Sequence, residues 1–113
     1  MRTIIFMLLL FMVSGVHAGQ FDGKYRLNKH WDCKSVGMDG GAMEIRGEKL
    51  HGVESLCLMT NPTKVRGMDA VLYDLKCSGE GETWSDRLML LKQKNGIYHI
   101  RNGWVSKWER CPR

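Results

Sequence analysis

The amino-acid sequence predicts an all-β protein, a small antiparallel β-barrel or sandwich stapled by two disulfides. Apolar residues recur mainly at every second position, the spacing of a strand with one buried face. Glycine-rich segments and two Asn-Gly pairs separate these stretches and are typical of hairpin turns. All four cysteines follow an apolar N-terminal run, a pattern typical of an exported, disulfide-bonded domain.

Residues 1–18 are predicted to form a signal peptide rather than part of the fold. Arg2 precedes an apolar run over residues 4–13, which is shorter than the roughly 20 residues of a membrane-spanning helix. Val16 and Ala18 are small enough to precede a signal-peptidase cut. We therefore expect one domain over residues 19–113, without a transmembrane anchor, in the periplasm or secreted.

The alternation divides this domain into about seven short strands separated by turns. The clearest of them places Val71, Tyr73, Leu75 and Cys77 on one face. Residues 61–69 are expected to form a long basic connection before that strand. The predicted strands lie within residues 23–28, 42–46, 50–60, 70–77, 83–93, 97–101 and 104–111.

Cys33, Cys57, Cys77 and Cys111 are expected to form two disulfides, because an even count is typical of a small exported domain. Of the three possible pairings we favour Cys33–Cys57 with Cys77–Cys111, which closes local loops and ties down the C-terminus. No C-x-x-C pair is present, so a zinc site is not predicted.

The histidines His30, His51 and His99 also lack the spacing of metal ligands, and we expect them to be exposed or half-buried. Neither a metal nor a cofactor is predicted. Trp104 and Trp108 share a strand face, and we expect both to be buried in the core rather than to form an exposed platform.

The segment from Cys77 to Trp84 carries the main candidate site. On a strand, Glu80, Glu82 and Trp84 would point to the same side, although the neighbouring glycines favour a bulge or hairpin. Three roles are open: a polar turn, an exposed docking surface, or paired carboxylates acting on a sugar. Catalytic carboxylates normally face each other across a cleft, so we assign no catalytic residue and do not expect an enzyme.

The formal net charge of +5 does not predict a nucleic-acid-binding protein, because the basic residues are scattered and form no run. The charge would favour weak attraction to anionic envelope components or acidic proteins. Lys64 and Arg66, in the basic connection, are the candidate contacts of this kind.

Three segments together resemble a group of small, uncharacterised exported proteins of alphaproteobacteria. They are Glu54–Cys57, with the pattern ESxC, Cys77–Trp84, with the pattern CxGEGxxW, and the C-terminal Arg110-Cys111. The resemblance implies a Gram-negative periplasm or secretion beyond it, and it implies no catalytic residue. A looser likeness of size, export and disulfides is to small periplasmic β-barrels that inhibit lysozymes or proteases.

The sequence thus favours a non-enzymatic periplasmic or secreted binding protein of the inhibitor type, which contacts an envelope or extracellular protein or glycan through its loops. The candidate contacts are Lys64, Arg66, Glu80, Glu82 and Trp84. One alternative is a small hydrolase acting on envelope glycans through Glu80 and Glu82, with Glu54 as a further carboxylate. The other is an envelope structural protein without a discrete ligand.

Overall fold

A computed structural model describes residues 19–112, so the predicted signal peptide over residues 1–18 lies outside the described residues. Within the described part, every regular element is a strand. The strands are β1 (Gly23–Arg26), β2 (Met43–Arg46), β3 (Lys49–Gly52), β4 (Ser55–Lys64), β5 (Ala70–Gly79), β6 (Glu82–Gln93), β7 (Gly96–Arg101) and β8 (Trp104–Arg110). Between residues 19 and 112 there is no helix with the length and apolar character that crossing a membrane requires.

The strands form a closed barrel in which each strand pairs antiparallel with the next along the chain. The first strand also pairs with the last, so the sheet has no free edge. The prediction of an antiparallel all-β fold is confirmed, and the architecture is the barrel rather than the sandwich.

The apolar side chains at every second position of the strands fill the interior of the barrel, as the sequence predicted. Met43 and Ile45 of β2, and Leu88 and Leu90 of β6, are buried on the inward face and pack into one core. Tyr25 lies fully inside, and its hydroxyl donates a hydrogen bond to the carbonyl oxygen of Phe21. Its polar end is therefore satisfied although the ring is buried.

The structure has one strand more than the sequence predicted, because residues 50–60 do not form a single strand. Val53 and Glu54 make a two-residue turn that separates β3 from β4. The expected connection over residues 61–69 is also shorter, since β4 continues to Lys64 through an irregularity between Thr60 and Thr63. Pro62 lies within that irregularity, where its missing N–H interrupts no regular ladder.

Both disulfides form, but the favoured pairing was wrong: Cys57 bonds to Cys77, and Cys33 bonds to Cys111. Cys57 and Cys77 lie directly opposite each other on the neighbouring strands β4 and β5, with Cα atoms 4.0 Å apart. Cys111 follows β8, which closes against β1, and this closure brings it to the loop that contains Cys33. Strand pairing, not sequence proximity, decides which cysteines meet.

The barrel has two different ends. At the distal end lie three hairpin turns, Val53–Glu54, Glu80–Gly81 and Asn102–Gly103, which follow β3, β5 and β7. At the terminal end lie the remaining turns and both ends of the domain. The long loop over residues 27–42 reaches the distal end, where the carbonyl oxygen of Gly37 accepts a hydrogen bond from the backbone N–H of Glu54.

The observed pairing predicts that peptide mapping of the oxidised protein recovers Cys33 linked to Cys111 and Cys57 linked to Cys77. Replacing both Cys33 and Cys111 by alanine should lower the free energy of unfolding by about 4 kcal/mol, because this bridge closes a long loop in the unfolded chain. Urea denaturation of the variant and the parent measures the loss. Recovery of a Cys33–Cys57 peptide, or a loss below about 1 kcal/mol, would contradict the pairing or its role.

Candidate binding site at the distal end

Two of the distal turns place a glutamate in a backbone conformation that residues with a side chain rarely adopt. Glu54 has a φ of 50° and Glu80 has a φ of 49°, both in the left-handed region. This region costs a non-glycine residue roughly 1–2 kcal/mol, and asparagine tolerates it better. Neither position is therefore occupied by the residue that best suits the turn.

Gly79 allows the two turns to approach each other. A Cβ atom at this position would collide with the carbonyl oxygen of Glu54 and would touch the ring of Trp84 at 3.3 Å. The close approach brings the carboxyl groups of Glu54 and Glu80 together. The pKa of Glu54 is raised above its ordinary value, first because it shares a hydrogen bond with the Glu80 carboxyl and then because of that group's charge.

Trp84 lies beside these carboxylates on the inward side of β6, directly opposite Cys77. Near the distal end this side is only partly covered, so 39% of Trp84 remains exposed. Glu80, Glu82 and Trp84, which the sequence grouped together, do line one shallow depression. Its full lining is Val53, Glu54, Ser55, Gly79, Glu80, Glu82 and Trp84.

Most large apolar side chains that the described residues expose lie close to the distal turns. Val53 and Leu56 flank Glu54, and Trp104 and Val105 follow the Asn102–Gly103 turn. Trp104 is 54% exposed, so the expectation that it belongs to the core was wrong, whereas Trp108 is buried as expected. Exposed apolar side chains gathered at one place on a soluble domain are typical of an interaction surface.

The basic candidates lie elsewhere. Lys64 ends β4 at the terminal end, and Arg66 follows it in the connection to β5. Strand β5 has ten residues, so about 30 Å separates this connection from the Glu80 turn. Lys64 and Arg66 therefore cannot share one contact surface with Glu80, Glu82 and Trp84.

Arg87 on β6 pairs with Asp74 of β5 rather than with Glu80 or Glu82. Its Nε donates to Oδ1 of Asp74 at 3.0 Å, and Asn61 donates to the other carboxylate oxygen at 2.9 Å. These two hydrogen bonds hold the pKa of Asp74 below its ordinary value. This cluster satisfies its own polar groups on the outside of β4–β6, which indicates a structural role.

Inside the distal end, β7 turns two polar side chains toward the barrel axis. His99 is only 4% exposed, contrary to the expectation of an exposed or half-buried histidine, and its ring meets Trp104 edge-on at 5.9 Å between centroids. Arg101 donates through Nη1 to Oδ2 of Asp86 at 3.0 Å. Together with Trp104 and Trp108, His99 and Arg101 line a cavity of about 190 Å³.

The environment of His99 keeps its ring neutral. Burial and, secondly, the positive charge of Arg101 lower its pKa to about 4, against the smaller opposing effects of a hydrogen bond to its own backbone and of the Asp86 carboxylate. Nδ1 of His99 has no hydrogen-bond partner on any other residue within residues 19–112, and the only backbone contact of the ring that affects its pKa is with His99 itself. A buried imidazole nitrogen without a partner is unusual in a folded protein.

Sequence reasoning did not single out His99 and Arg101 as site residues. The signal that could have identified them is their spacing on β7. His99 and Arg101 lie two and four residues after Ile97, so they share its inward face, where apolar side chains are expected. Glu54 was considered only as a catalytic carboxylate, and its contact with Glu80 depends on the turn at Gly79.

Comparison with models of known protein families, with curated proteins and with solved structures gives no match. Among the described residues no group of three or more His, Cys, Asp and Glu side chains is arranged to hold a metal ion. The functional argument therefore depends on the distal end itself.

The low pKa of His99 predicts an acid-sensitive fold. The folded state binds this proton only near pH 4, whereas the unfolded chain binds it near pH 6.5. Stability is therefore full above pH 6.5 and is lost as the pH falls toward 4, by up to about 3 kcal/mol. Urea denaturation between pH 4 and 7 should show this slope in the parent protein and a flatter profile in His99→Leu.

His30→Gln provides the matched control, because His30 is exposed and hydrogen-bonds only through its backbone in the described structure. Its profile should follow that of the parent. Equal slopes in the parent and in His99→Leu would show that His99 does not set the acid sensitivity.

Proposed function

We propose that this protein is a non-enzymatic periplasmic or secreted binding protein that contacts a basic protein partner through its distal surface. The distal surface is formed by Val53, Glu54, Glu80, Glu82 and Trp84. This proposal is based on one observation: exposed carboxylates and exposed apolar side chains lie next to each other at one end of the barrel.

The two disulfides indicate a protein of a non-cytoplasmic, oxidising compartment. The predicted signal peptide over residues 1–18 supports export. Export would place the partner in the envelope or outside the cell.

The composition of the distal surface is that of a protein interface. An aromatic side chain such as Trp84 supplies large apolar contact area at a small cost in conformational entropy. The surrounding carboxylates would speed the encounter with a positively charged partner and fix its orientation. The basic residues Lys64 and Arg66 do not cancel this field, because about 30 Å is several times the screening length of about 8 Å at physiological salt.

The backbone of the turns supports a role in binding rather than in stability. Glu54 and Glu80 both hold left-handed conformations that asparagine would adopt with less strain. The two carboxyl groups are also held together there, so that either one takes up a proton or two like charges repel, and both outcomes oppose folding at neutral pH. Backbone strain and the contact between the two carboxyl groups both destabilise the fold. Their presence at one surface is best explained by a partner that binds the carboxylates.

The test is the double variant Glu54→Asn/Glu80→Asn. It should be more stable than the parent, because asparagine adopts the left-handed turn conformation with less strain and carries no charge. It should also lose at least tenfold in affinity for a basic partner captured from envelope extract on the oxidised domain, residues 19–113. Urea denaturation and titration calorimetry with the purified partner measure the two effects.

Lys64→Gln/Arg66→Gln is the matched control, since it also removes two charges, at the terminal end. It should bind the partner as tightly as the parent does, and the affinity of the parent should fall as salt is raised. If the control lost binding of the partner and the Asn variant kept it, the interface would lie at the terminal end of the barrel instead.

A second candidate is a glycan hydrolase, favoured by the contact of Glu54 with Glu80. Two carboxyl groups of which one has a raised pKa can divide the roles of acid and base. Against it, both groups lie on exposed turns beside a shallow depression rather than in a cleft. An enzyme would cleave purified envelope glycan and lose turnover by orders of magnitude in Glu80→Gln, whereas we expect no cleavage by the parent.

A further inference from the structure

We propose that the cavity inside the distal end binds a small uncharged aromatic molecule. The polar group of this molecule accepts a hydrogen bond from Nε of Arg101 and forms a second hydrogen bond with Nδ1 of His99. This site is internal, and it is separate from the distal surface, although Val53 and Ser55 border both. The inference does not depend on the proposed protein partner.

The size of the cavity limits the ligand to about one ring with a substituent. The volume is about 190 Å³, and an apolar cavity of about 150 Å³ is known to hold benzene. Met43 and Leu50 supply the apolar floor from β2 and β3, and both are almost fully buried. A longer or branched molecule would have to displace these core side chains.

The polar wall is incomplete without a ligand. Nδ1 of His99 and Nε of Arg101 are both buried, and neither has a hydrogen-bond partner in the described structure. Nearly all buried polar atoms in proteins are hydrogen-bonded, so two such atoms around one cavity are a strong sign of a missing partner. Gln93 also has an unpartnered buried nitrogen, but it ends β6 at the terminal end and does not line this cavity.

The charges of the wall favour an uncharged ligand. The positive charge of Arg101 is already paired with Asp86, and burial keeps His99 neutral. No unpaired positive charge therefore remains among the described lining residues to compensate a buried carboxylate. The N–H at Nε of Arg101 can only donate, whereas Nδ1 of a neutral imidazole can donate or accept. An amide or a phenol hydroxyl offers both functions in one small group.

The aromatic wall favours a flat ring. Trp104 and Trp108 both border the cavity, and the indole N–H of Trp108 is already bonded to Ser106 Oγ at 3.0 Å. Trp108 therefore offers the cavity its ring rather than its N–H, and a flat ligand ring can pack beside the two indoles.

The experiment uses the oxidised domain, residues 19–113, with benzamide as the probe and benzene and benzoate as comparisons. Binding is followed at pH 7 through the ring nitrogen signals of His99 and the indole signals of Trp104 and Trp108 in nuclear magnetic resonance spectra. We expect benzamide to bind at least tenfold more tightly than benzene, which lacks the polar group, and than benzoate, which is charged. Benzamide should shift the Nδ1 signal of His99, and benzene should not.

Two variants identify the contacts. His99→Leu removes the unpartnered nitrogen at similar volume, so it should raise the melting temperature. It should also lower the affinity for benzamide at least tenfold while leaving the affinity for benzene unchanged. Arg101→Lys keeps the charge beside Asp86 but removes Nε, and it should also weaken benzamide. Lys64→Gln/Arg66→Gln, at the other end of the barrel, should bind benzamide as the parent does.

Three outcomes would overturn the proposal. Equal affinity for benzamide and benzene would show that the nitrogens take no part, and tighter binding of benzoate would reverse the charge argument. Absence of any shift at His99 up to the solubility limit of the probe would mean that the cavity holds only water. Should His99→Leu fail to fold, Arg101→Lys and the three probes on the parent protein still decide the question.

Discussion

The closure of β1 against β8 is the contact on which the rest of the structure depends. Only a short stretch of the two strands pairs, with Tyr25 opposite Arg110 and Arg26 opposite Glu109. Side chains reinforce this seam: Arg26 Nε contacts Glu109 at 2.6 Å, and Arg110 donates to the Tyr25 hydroxyl at 3.0 Å. The guanidinium of Arg110 also lies 5.1 Å from the centre of the Tyr25 ring. Without the seam both outer strands would become exposed edges.

The unequal lengths of the strands give the distal end its character. Strand β6 has twelve residues, but only residues 89–93 pair with the six-residue β7. The distal part of β6 therefore extends beyond β7, and the inward side of residues 82–87 faces an incomplete wall there. Trp84 lies on this part of β6 and is exposed for this reason. The internal cavity lies where the apolar core gives way to His99 and Arg101 of β7.

Local patterns in the sequence predicted the fold class because strand alternation and Asn-Gly turns act over a few residues. The Val53–Glu54 turn escaped prediction because neither residue is typical of a tight turn, and the left-handed conformation of Glu54 is imposed by neighbouring strands. The disulfide pairing escaped because it depends on which strands are neighbours and on closure between residues far apart in the chain. The internal cavity was not predicted for the same reason, since its walls come from β2, β3, β7 and β8, which face each other only once the barrel is closed.

The departures from favourable local structure are concentrated at one end of the molecule. The glutamates in left-handed turns, their two carboxyl groups in contact and two of the three unpartnered buried nitrogens of the described residues lie at or inside the distal end. At the seam, by contrast, charged and aromatic groups satisfy each other. A stable barrel would tolerate replacement of each unfavourable group by one that suits its position better, as asparagine would suit the turns. A sequence that keeps several unfavourable groups together, on a frame closed by a seam and two disulfides, supports the proposal that this end of the barrel binds a partner.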